Sequence, residues 1–216
     1  MAAANCPQWD YEKHPNAGAF LPQRCRELLV WLRAQPRNTI GLCSDTRPPH
    51  NNIFTGLTIP DQDYLAGHYR GEDFPCLKYL NVNINTDPRV GVPFERVDGE
   101  LHYLTSVIQE GVNKLDGAYA IPDAHLPRNL KVYYAISFAC RVFVHFLTVH
   151  PFANGNGHMG RFIIWSILGR YQYWPRRWPV NDRPPDPPYS DLIKKYRDGE
   201  SDPLEQFVLK CVLGII

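Results

Sequence analysis

The chain has 216 residues, long enough for one domain with a sizeable buried core. Its 23 basic and 22 acidic residues nearly cancel, so net charge does not point to nucleic acid or a membrane as partner. No apolar run is expected to reach the ~18–20 residues of a membrane span, and the start of the chain lacks the basic and apolar regions of a signal peptide. The six cysteines are scattered with no C-x-x-C pair, which predicts free thiols in a reducing cytoplasm, with signal-less export the alternative.

In chain order, residues 1–20 carry no periodicity and read as an irregular leader. Leu28, Leu29, Trp31 and Leu32 recur at helical spacing, so a helix is expected over residues 25–34, ended by Pro36. Residues 36–52, rich in Pro, Asn, Ser and Asp, read as a loop. Residues 79–85 alternate apolar side chains with asparagine. Thr86-Asp87-Pro88 is turn chemistry, and Val90, Val92 and Phe94 alternate again. This predicts a β-hairpin over about 78–97, whose unpaired edge could take an extended peptide. Leu101, Leu104, Ile108, Val112 and Leu115 predict an amphipathic helix over 99–115. Residues 130–149 are apolar nearly all round and predict a central helix. A proline-rich loop over 174–188 and two closing helices, 192–197 and 204–213, complete a mainly α chain.

The stretch from His150 to Arg161, His-Pro-Phe-Ala-Asn-Gly-Asn-Gly-His-Met-Gly-Arg, is unlike either flank. Pro151 cannot continue a helix and pushes His150 out of helical geometry. Gly155 and Gly157 permit a tight turn, and a new helix beginning near Gly157 would aim its free N–H groups back into that turn. Such a helix start is an anion site, and Arg161, one turn in, adds a charged fork. His150 is a base for protons near neutral pH. Base, phosphate cradle and arginine together point to attack on a phosphate ester.

This segment resembles the signature of the Fic (filamentation induced by cyclic AMP) domain, H-P-F-x-[D/E]-G-N-G-R-x-x-R. It matches at His150, Pro151, Phe152, Gly155, Asn156, Gly157 and Arg161, and departs at Asn154, where the family has an acid, and at His158, where it has an arginine. His50, Ile53-Phe54, Gly56-Leu57 and Ala66-Gly67-His68-Tyr69-Arg70 are similar to the family's upstream pattern, and Asp198-Gly199 with Asp202-Pro203-Leu204 and Phe207 to its closing region. The resemblance implies a Fic-like helical bundle with a β-hairpin flap: residues 1–49 as leader and packing helix, and 50–216 as the Fic-like domain.

It further implies an enzyme that moves AMP from ATP onto a Ser, Thr or Tyr hydroxyl of a target protein. His150 would be the base. Gly155, Asn156, Gly157, His158 and Arg161 would hold the phosphates, and Asn154 would weakly hold Mg²⁺. Tyr79, Val82, Ile84, Val90 and Val92 would grip the target on the flap. Another donor, giving UMP or phosphocholine-type transfer, and a non-catalytic binding module are the alternatives. Expected partners are therefore a nucleotide and a hydroxyl-bearing protein, without nucleic acid or membrane. In some relatives a helix bearing [S/T]-x-x-x-E-[G/N] restrains the last arginine. The stretches from Ser106 to Gly111 and from Ser201 to Gln206 approach that pattern, and neither is expected to act so.

Overall fold

A computed structural model of the chain describes residues 6–35, 38–84 and 87–215. Among these, eight helices carry the fold: α1 (Ala17–Ala34), α2 (Thr39–Ser44), α3 (Arg47–Phe54), α4 (Phe94–Ala120), α5 (Arg128–Val149), α6 (Asn156–Arg170), α7 (Tyr189–Arg197) and α8 (Asp202–Leu213). The centre is the α5–α6 pair. α4 and α8 pack on α5, while α2 and α1 pack on α6. α6 is buried along almost its whole length, as a helix enclosed on all sides must be.

Four expectations need correction. The loop assigned to residues 36–52 contains α2 and α3; Pro48 and Pro49 sit in the first turn of α3, where a missing N–H costs no intrahelical bond. The helix expected from residue 25 starts at Ala17, so part of the leader is helical. Cys6 and Cys76, 70 residues apart, form a disulfide, while Cys25, Cys43, Cys140 and Cys211 are buried and free. A pairing at that separation leaves no spacing signal to read. Finally, α5 is long and apolar enough, by length and composition, to cross a membrane, and 56% of that window is buried inside the fold. Here it serves as the core helix of the bundle.

The predicted hairpin is not formed. No strand is present among the described residues, and Asn85 and Thr86, at the expected turn, lie outside them. The alternation itself persists: Asn81 and Asn83 are exposed, Val82 and Ile84 half-buried. What is missing is the ladder, because the backbone groups that would make it are engaged elsewhere. Arg70 donates to the carbonyls of Leu80 (2.9 Å) and Val92 (3.0 Å). The Gly91 N–H bonds the Thr148 carbonyl on α5, and the Phe94 N–H bonds the Asn81 side chain. Gly91, at φ 90°, lies so close to the Val82 carbonyl that a Cβ there would stand 2.5 Å from it. The two arms therefore touch, tied mainly to the bundle and to each other through the Asn81 side chain, with no ladder between them. Val90 is buried, Val92 half-buried, and only Tyr79 of the five flap residues is largely exposed.

Candidate active site

α5 stops at His150 because Pro151 follows, and His150 takes the left-handed conformation (φ 53°, ψ 59°) that closes the helix. A non-glycine residue held there is strained, and such strain persists only where its surroundings dictate it. Here Arg70 dictates it. This buried guanidinium donates to the carbonyls of His150 (2.8 Å) and Val149 (3.0 Å) besides those of Leu80 and Val92, while its own N–H bonds the Pro151 carbonyl. Burial lowers the Arg70 pKa to about 10, which leaves it charged at neutral pH.

The loop is braced from beneath. The ring of His50 stacks on that of Phe152 at 3.7 Å and 4°. Its Nδ1 accepts from the Gly67 N–H (2.9 Å), so its Nε2 carries the proton and donates to the Asn154 carbonyl (3.0 Å). Gly155, at φ 77°, passes directly over this brace; a Cβ would meet the ring of Phe54 at 2.4 Å and His50 Nε2 at 2.9 Å. The Asn156 side chain, expected on the phosphates, is turned inward instead. It exchanges two 2.9 Å bonds with the backbone of Phe152 and locks the turn. The amides of Asn156 and Gly157, in the first turn of α6, have no intrahelical acceptor and are what the loop offers an anion.

Arg161 is buried, and its Nε and Nη2 donate to the Val180 carbonyl at 3.1 and 2.8 Å, fixing the guanidinium against the proline-rich loop. Among the described residues no carboxylate pairs with it. Glu205 lies in the core on the Ser137 hydroxyl (2.8 Å), and Glu110 is exposed on α4 beside Lys114.

The two departures share a neighbour that the sequence reading did not foresee. The Asn154 amide donates to the Trp9 carbonyl (3.0 Å), and its Oδ1 accepts from the Gly155 N–H (2.8 Å). His158 Nδ1 faces the Tyr11 hydroxyl at 3.5 Å. Burial, then Arg161 and His50, press the His158 pKa down to about 3, so its ring is neutral and supplies no charge to a phosphate near pH 7. Burial likewise lowers His150 to about 4; the Leu147 carbonyl opposes the shift while Arg70 and Arg197 add to it. His150 is therefore a neutral imidazole at physiological pH.

One cavity of about 830 Å³ collects these parts. Its walls include His150, Asn154 through His158 and Arg161, together with Tyr11 and Glu12 from the leader and Ile84 and Val90 from the former flap. The helix α7 adds Lys194 and Arg197. Arg197 is ion-paired with Asp87 (3.1 Å), which joins the flap region to α7. Sequence reasoning placed Arg70 in the upstream pattern without giving it a role, and it missed Tyr11 and the α7 residues; for Tyr11 the signal was the pair Trp9 and Tyr11, large aromatics in a leader otherwise without pattern.

Comparison with family models matches residues 89–168 to the Fic/DOC family, a span that begins just before α4 and carries the whole loop between α5 and α6. Residues 89–168 are thus similar to a Fic domain. Comparison with curated proteins finds no match.

A Fic domain of the usual pattern implies Mg²⁺ held through the signature acid. The donor set here does not fit that ion. Asn154 is neutral, a poor ligand for a hard cation, and both ends of its amide are already hydrogen-bonded. Among the described residues no group of three or more His, Cys, Asp or Glu side chains is arranged to hold a metal.

Proposed function

We propose that this Fic domain is a transferase that moves a nucleoside monophosphate, AMP from ATP in the reference case, onto a Ser, Thr or Tyr hydroxyl of a target protein. One observation carries the reading: the His150 ring, the free amides at the start of α6 and Arg161 line a single cavity of about 830 Å³, within the size range of nucleotide-sized pockets. Nδ1 of His150 is buried, so Nε2 is the nitrogen that reaches the cavity. That nitrogen takes the hydroxyl proton as the oxygen attacks the α-phosphorus. The bond to the β-phosphate oxygen breaks, and pyrophosphate leaves with its charge stabilised by the α6 amides and Arg161. The proton passes from His150 to solvent. Most of the acceleration comes from holding the reactants in line, so a base with a low pKa suffices at neutral pH.

The target chain lies beside the extended stretch 80–84, whose residue Ile84 lines the cavity. The Cys6–Cys76 disulfide fits an oxidising compartment in place of the reducing cytoplasm that the scattered cysteines first suggested.

Mass spectrometry of the purified chain and of a cell lysate, each incubated with a panel of nucleoside triphosphates, tests the proposal. A nucleotidyl mass increase with wild type that disappears in His150→Ala supports it and identifies the donor. No increase with any donor, from a folded protein, would sink it.

A further inference from the structure

Residues 6–16 form a strap across the phosphate end of the cavity. The bundle, not the Fic loop, sets its position. Cys6 is bonded to Cys76 at one end, and the Trp9 indole donates to the Leu57 carbonyl (2.9 Å). Trp9 meets Phe54 edge-on at 5.7 Å, and Tyr11 lies against the same ring at 4.8 Å. Against this fixed element stand the two residues where the loop departs from its family signature, Asn154 on the Trp9 carbonyl and His158 on the Tyr11 hydroxyl. Both departures remove charge: a carboxylate becomes an amide, and an arginine becomes a buried neutral ring. An acid at 154 would have no N–H to donate to the Trp9 carbonyl and would set two acceptors face to face. An arginine at 158 would have to fit beside a tyrosine that is itself buried. The strap and the two departures are thus one arrangement.

Within it the Tyr11 hydroxyl is only loosely satisfied. Its neighbours, Glu12 Oε1 at 3.4 Å and His158 Nδ1 at 3.5 Å, lie beyond the reach of a good hydroxyl bond, and the residue lines the cavity. Burial raises the Tyr11 pKa, so the group remains a neutral donor. Resting on the transferase reading above, we infer that the strap takes the place of the divalent cation: the nucleotide's phosphates are held without a metal ion, and Tyr11 is part of their binding site.

Calorimetric titration of the full chain with ATP, in EDTA and again in MgCl₂, decides the matter. The expected dissociation constants agree within about twofold, and Tyr11→Phe weakens binding in EDTA roughly three- to tenfold, the worth of one hydrogen bond, with an unchanged melting temperature. Tightening by tenfold or more in Mg²⁺ would overturn the inference and leave the transferase reading intact, as would full affinity in Tyr11→Phe. No heat with ATP, GTP, UTP or a CDP-alcohol in either buffer would overturn both.

Discussion

The two lips of the Fic loop are held in different ways. The His150 lip keeps every signature residue and is fixed by the bundle itself, through Arg70 on four carbonyls and His50 under Phe152. The phosphate lip loses two signature residues and is fixed by the N-terminal strap. The His150 half follows the family signature while the other half departs from it against a segment outside residues 89–168. A signature motif can thus be split, with one end held by the bundle and the other by the N-terminal strap.

Acid should break both lips at once, with the largest effect. His50, His150 and His158 have folded pKa values of about 3, 4 and 3, below the ordinary 6.5. Between those limits the unfolded chain binds more protons, so stability is full above about pH 6.5 and is lost as pH falls toward 4. Three such groups amount to roughly 5 kcal/mol between pH 6.5 and pH 5. Urea midpoints should drop steeply over that interval; midpoints unchanged from pH 7.5 to pH 5 would show that these rings are not buried and neutral.

Arg70→Ala breaks the His150 lip alone. Four carbonyls lose their donor, and a loss of at least about 3 kcal/mol is expected in denaturant unfolding. Hydrogen exchange should quicken at the end of α5 before it does at α6; a uniform change would argue against a local clamp. Cys76→Ser breaks the other lip. Opening the 70-residue loop should cost about 2–4 kcal/mol, with exchange rising in the strap and around Asn154 while the His150 end stays protected. Smallest is Asn154→Ala, which removes the bond to Trp9 and costs about 1 kcal/mol. A drop as large as that of Cys76→Ser would mean that Asn154, not the disulfide, anchors the strap.

These regions also differ in how far the sequence discloses them. The central helix, the break at Pro151 and the helix that follows were legible because apolar periodicity and proline sterics act locally. The Fic loop was legible as chemistry from glycine, histidine and arginine in series. Asn156 misled because its side chain bonds its own loop at Phe152, a choice that only tertiary geometry makes. The hairpin misled for a related reason: alternation sets which side chains turn inward, but Arg70 and Thr148 determine where the backbone groups go. The strap was illegible because its staple closes over 70 residues.

Arg70 also gives the former flap a property useful to an engineer. One side chain pins the chain at Leu80 and again at Val92, so the ends of this excursion stay fixed whatever lies between them. Residues 82–86 can then be lengthened, shortened or exchanged with little effect on His150, since loop closure costs little more for a few added residues. The molecule presents a cassette with fixed ends beside the cavity that His150 lines, where a new sequence can be introduced while the walls contributed by α5 and α6 are left alone.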